Sequence, residues 1–193
     1  GAALVMVACG PGAKIGGGKQ GAAEALYAAS GPTKDSTSRT QPIDIKLSDL
    51  SVSCALGGSA TLRNYTLKTD ATIGGANVGA QYDVAYDKCG VSKSDVGDVV
   101  LGGDWQVVQS VVTTTGSASV SQTFKGRVTF GGAFDDFLDA DIVQSVDASS
   151  LGSTGGAVSV VLKGTLTNSS GTYTYDEAVN VTAGNVSVQV TKN

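Results

Sequence analysis

The sequence predicts an all-β protein. It is read as an antiparallel sandwich, a strongly curved sheet or a barrel of about nine strands, preceded by a glycine-rich leader and one short helix. Three observations carry that reading. Valine, serine and threonine dominate, with 25, 21 and 19 copies against only 2 glutamates, and β-branched side chains suit a pleated surface better than a helix. Glycine supplies 27 of the 193 residues, about twice the average usage of roughly 7%. From Gln41 onward the apolar residues recur with period two, broken at short intervals by glycine and asparagine turns.

The leader differs from the rest of the chain in charge and in composition. Residues 1–40 hold Lys14, Lys19, Lys34 and Arg39 against Glu24 and Asp35, a balance of +2 in a chain of net charge −4. The stretch 10–21 is rich in glycine and reads as a flexible tether. Ala22, Ala25, Leu26 and Ala29 then fall at i, i+3, i+4 and i+7, which predicts a helix over 21–30. Gly31-Pro32 ends it. At about ten residues it needs a surface to pack against. The domain division is therefore a leader over 1–40 and a single β domain over 41–193.

In the β domain, Val78, Ala80, Tyr82, Val84 and Tyr86 share one face, with Gln81, Asp83 and Asp87 on the other. Val120, Phe124, Val128 and Phe130 repeat the pattern. Further strands are expected at 43–47, 60–68, 104–114, 138–146, 158–167, 173–181 and 186–191, with no helix between them, which excludes a parallel βαβ fold. Segment 120–129 aligns with 158–167, five of ten positions being identical. The two read as similar hairpins stacked in one sheet. Gly126 and Gly164 interrupt them at matching positions, where a bulge or a neighbouring aromatic is expected. Trp105, the single tryptophan, is expected to pack in the core.

The chain has three cysteines. Cys54 and Cys89 both border strands and are read as a disulfide, which implies an oxidising compartment. Cys9 is the odd one. It closes the apolar run Leu4-Val5-Met6-Val7-Ala8-Cys9, and Met6-Val7-Ala8-Cys9 resembles the lipobox of bacterial lipoproteins. That resemblance covers about the first ten residues. It implies cleavage before Cys9, acylation of the new N-terminal cysteine, and a lipid anchor at the cell envelope. A second reading makes residues 2–8 a strand that adds to the sheet of a neighbouring copy.

Several chemistries are excluded or weakly marked. The absence of histidine removes Ser-His triads, His-ligated zinc and imidazole catalysis. A pI near 4.6 argues against nucleic acid as a partner. Gly16-Gly17-Gly18-Lys19-Gln20-Gly21 matches G-x-G-x-x-G, but no strand directly precedes it and no βαβ unit comes after it, so no nucleotide is expected. Asp135, Asp139 and Asp141 are weak metal candidates, read in preference as a solvated face because the glycine of a calcium loop is missing. Tyr82 and Tyr86 are weak candidates for stacking a sugar, with a buried strand face as the alternative. No cofactor and no catalytic set is expected. The sequence is thus read as a non-enzymatic surface lipoprotein or filament-like subunit, whose partners are copies of itself or other surface proteins. A glycan- or small-ligand-binding module is the alternative.

Overall fold

The computed structural model describes residues 14–30, 50–72, 74–93, 97–115, 117–147, 157–182 and 189–190. Helix α1 (Gly18–Ser30) is followed by nine strands. These are β1 (Leu50–Ser53), β2 (Ser59–Thr72), β3 (Gly75–Lys93), β4 (Gly97–Thr114), β5 (Ser117–Gly132), β6 (Asp136–Asp147), β7 (Ala157–Asn168), β8 (Gly171–Thr182) and β9 (Gln189–Val190). They lie in one sheet in sequence order, and every neighbouring pair is antiparallel. There is no second sheet among the described residues, so the sandwich form does not apply. Nor does β1 pair with β9, so the sheet is open rather than a barrel.

The strands run longer than period two alone indicates. β3 continues past its alternating stretch through Cys89 to Lys93, and β4 begins at Gly97 rather than Asp104. The cause is a bulge between Tyr86 and Cys89, which shifts the phase by one and restores Cys89 and Val91 to the buried face. The expected strand at 43–47 lies outside the described residues, as do the turn residues Gly31-Pro32 and most of 186–191.

Part of one face of the sheet is covered by α1. Tyr175 on β8 donates its hydroxyl to the Lys19 carbonyl in the first turn of the helix. At the other end, the Tyr86 hydroxyl on β3 donates to the Ala29 carbonyl at 2.9 Å. Strands β3 and β8 are five steps apart, about 24 Å at the usual strand spacing. A 13-residue helix is about 20 Å long, so α1 runs across the strands and is tied down at both ends. Its alanines explain the fit. Ala22, Ala23, Ala25, Ala28 and Ala29 are buried together with Leu26, and small side chains let a helix lie close against a pleated surface. Ile15 joins the same core. Residues 14–30 are therefore part of the packed domain, although the sequence places them in the leader.

Beneath the helix, the core alternates large rings with glycines. Trp105 stands opposite Gly126, Tyr86 opposite Gly103, and Tyr175 opposite Gly164. Trp105 is 1% exposed and packs against Phe124, with centroids 5.0 Å apart, and edge-on to Tyr86 at 6.3 Å. Leu101, Val128, Leu138, Ile142 and Leu166 fill the space between. Burial fades along β3: Tyr86 and Val84 are covered, Tyr82 and Ala80 half-covered, and Val78 is 41% exposed. The five residues share a face as expected, yet the helix shields only one end of it.

Candidate functional site

The described residues form a shallow cleft of about 560 Å³ at the end of the sheet where β3 bulges. The local sequence builds it from three turns. The Cys54–Cys89 disulfide, with Cα atoms 5.3 Å apart, pins the loop before β2 to the bulge in β3. Four backbone hydrogen bonds tighten that loop: Cys54 to Gly58, Leu56 to Gly90, Gly57 to Cys54 and Gly90 to Gly57, at 2.8–3.1 Å. A Cβ on Gly58 would sit 2.0 Å from the Lys88 carbonyl oxygen, so only glycine permits this approach. Lys88 itself has φ of 49° and lines the cleft.

The β5–β6 and β7–β8 turns meet on the opposite wall around Asp136, which is 7% exposed. Its carboxylate accepts from the Ile15 amide at 2.8 Å, the Phe137 amide at 2.8 Å, the Ser169 amide at 3.2 Å and the Ser169 hydroxyl at 2.8 Å. Burial works to raise its pKa, but the four donors outweigh that and hold it below the ordinary 3.8. An Asp-Ser contact of this kind is a clamp rather than an activated nucleophile. The carboxylate is stabilised as the anion and its acceptor positions are taken.

The charges at the rim are mixed. Lys14 Nζ donates to the Asp135 carbonyl oxygen at 2.5 Å and lies 4.0 Å from its carboxylate. Arg127 forms a two-pronged pair with Asp139, at 2.5 and 2.6 Å, and its guanidinium covers the Phe137 ring at 4.4 Å. The hydrogen bonds and charge of Asp139 raise the Arg127 pKa, so the group is always cationic. No ion pair joins Lys88 to another described residue. Phe130 and Leu101 give the cleft an apolar floor. Such an arrangement can hold a small anionic or polar molecule with an apolar body. Among the described residues, no group of three or more Cys, Asp or Glu is placed to share a metal ion.

The residues singled out from sequence distribute as follows. Cys54 and Cys89 come together, and Cys9 lies outside the described residues. Asp135, Asp139 and Asp141 do not converge. Asp135 meets Lys14, Asp139 meets Arg127, and Asp141 stands across from Lys125 in the sheet. Tyr86 is buried with its hydroxyl bonded to the helix, and burial pushes its pKa up. Its ring is therefore not a sugar platform, because the cross-sheet helix covers it. Tyr82 is half-buried and stacks on Tyr65 at 6.3 Å. Sequence reasoning placed Asp136 only within the acidic group 135–147, and it missed Ile15 and Lys88. The signal for Ile15 was faint, an isolated isoleucine in a glycine-rich stretch.

Comparison with protein-family models, with curated proteins and with solved structures finds no match for the chain.

Proposed function

We propose that this chain is a non-enzymatic envelope or extracellular protein of a bacterium, displayed through a lipid on Cys9 or assembled into larger structures through strand contacts. The observation that carries the reading is the open sheet. Among the described residues its nine strands close neither on themselves nor on a second sheet, and an unclosed antiparallel edge is a template for another strand. The disulfide supports an oxidising compartment, and the lipobox-like Met6-Val7-Ala8-Cys9 supports an acylated start. Three aspartates around the cleft, Asp135, Asp136 and Asp139, are engaged in a clamp and in surface pairs.

Intact mass of the chain recovered from its native cells tests this. The expected product begins at Cys9, carries acyl groups on it, and is two hydrogens lighter for the Cys54–Cys89 bond. An unprocessed chain with three free thiols would overturn the display reading.

A second reading is favoured by one observation, the cleft lined by Lys88, which no ion pair joins to another described residue, beside the paired Lys14 and Arg127. There the protein would be a binding module for a small anionic ligand or an acidic glycan. Lys88→Ala is the discriminating variant, because it changes the rim without touching the Asp136 clamp. Loss of a glycan-array signal in this variant would favour that reading.

A further inference from the structure

Strand β2 carries a long edge with no partner among the described residues. Among the described residues β1 pairs with Ser59–Leu62, whereas β2 runs on to Thr72 and is bonded to β3 along its other side on both sides of a bulge at Arg63–Thr66. Residues Thr66 to Ala71 of that edge are all exposed, with Leu67 at 55%. A long exposed edge of this kind invites pairing unless its side chains prevent it, and a lysine is a common deterrent. Here the deterrent is Lys68, but Asp70 lies two residues away on the same face. No ion pair joins either to another described residue.

The edge reads Thr66-Leu67-Lys68-Thr69-Asp70-Ala71-Thr72. Turned end for end about Thr69, it becomes complementary to itself. Leu67 falls opposite Ala71, Lys68 opposite Asp70, and Thr69 opposite Thr69. We propose that this edge binds the same edge of a second copy, antiparallel and across a two-fold axis through Thr69, joining two sheets into one. The inference rests on the assembly reading above and names its partner and register.

The pairing follows from strand geometry. Two antiparallel strands related by a two-fold axis place residue i opposite residue j and j opposite i. Because strand side chains alternate, Lys68 and Asp70 share the face turned away from α1, and Leu67, Thr69 and Ala71 share the helix-bearing face. The two-fold therefore makes two Lys68–Asp70 pairs, one at each side of the axis. It also lays each Leu67 against Ala71 of the other copy. An unrelated strand would leave Lys68 and Asp70 unmatched, so the charge pattern that deters other partners selects this one. The bulge at Arg63–Thr66 separates the ladder from β1, so both can occupy β2 together.

Two competing occupants are distinguishable. One is the segment 43–49 of the same chain, which directly precedes β1. The other is an unrelated surface on the second copy. The experiment compares the oxidised full chain with Lys68→Asp, Asp70→Lys and the double exchange, using sedimentation equilibrium and thermal melting on the same samples. Each single variant places like charges at two cross-strand positions and should weaken dimerisation on the order of tenfold. The double exchange restores both pairs and should return dimerisation to about the parental strength, with melting of the monomer unchanged throughout. Association unchanged in the single variants would overturn the β2 pairing while leaving the assembly reading intact. Lowered melting of the single variants without a change in association would give the edge to residues 43–49. Failure of the double exchange to rescue would overturn the register. A parental chain that never dimerises would overturn the pairing and assembly through strands together, leaving display through Cys9 to the mass measurement.

Discussion

Gly126 stands directly opposite Trp105 in the β4–β5 ladder, and a Cβ at Gly126 would lie 2.8 Å from the Trp105 Cα. Gly164 repeats the relationship one hairpin later, between Ile142 and Tyr175, where a Cβ would lie 2.8 Å from the Ile142 Cα. Both glycines adopt positive φ, 139° and 132°, which L side chains rarely tolerate. In both places the added Cβ would run into the backbone of the preceding strand, at Asp104–Trp105 and at Asp141–Ile142, so the internal repeat of the sequence is a repeat of close strand approach.

Gly126→Ala and Gly164→Ala are each expected to lower unfolding stability by about 2–4 kcal/mol through backbone strain and overpacking. Gly131→Ala is the control. Its added Cβ would meet the Val100 Cβ at 3.7 Å, an ordinary contact, and the change should stay within about 1 kcal/mol. Urea denaturation midpoints of the three variants check this.

The Cys54–Cys89 bond closes a loop with a sequence separation of 35. In the chain-entropy view, its loss should cost about 4 kcal/mol, less any compensating relaxation. The reduced protein should therefore unfold at a lower urea concentration. Lys88 should also exchange its amide faster, because the bulge it occupies loses its tether. Equal midpoints with and without reductant would contradict the staple role.

Asp136 makes stability depend on acid. Its pKa is depressed in the fold relative to the ordinary 3.8, so the folded state binds the proton more weakly than the unfolded chain. Its stabilisation is complete above about pH 5 and is lost as pH falls below 3.8 and through the folded value. Asp136→Asn replaces an acceptor facing four donors with a group that is half donor. It should cost about 2–3 kcal/mol at neutral pH and flatten the decline below pH 4. Midpoints measured from pH 7 to pH 2.5 test both effects.

Tyr86→Phe removes one helix anchor while leaving the ring in the core. The expected loss is about 1 kcal/mol. Hydrogen exchange should accelerate in the last turn of α1 around Ala29 more than in the strands. Uniform acceleration across the sheet would mean that the hydroxyl does not act through the helix.

The legible part of the fold was the part written in period two. Val84–Tyr86, Phe124–Phe130 and the Gly126/Gly164 pair declared their face because a strand must alternate when one side is covered. The disulfide was legible because both cysteines border strands. Other features depended on position rather than pattern. The bulge at Asp87–Lys88 reversed the phase and hid the true length of β3. The short helix signalled a need for a surface but not which one, and Ile15 finds its place against Asp136 and Ser170, residues more than a hundred positions away. The aspartates between 135 and 141 looked like a cluster in sequence, but Asp136 turns inward while Asp139 and Asp141 face out toward Arg127 and Lys125. The cleft is likewise a meeting of three turns that no local motif records.

Sedimentation velocity of the oxidised full chain over a hundredfold range of concentration tests the assembly claim most directly. The account predicts a sedimentation coefficient that rises with concentration as open sheets join. A single monomeric species across the whole range would contradict it.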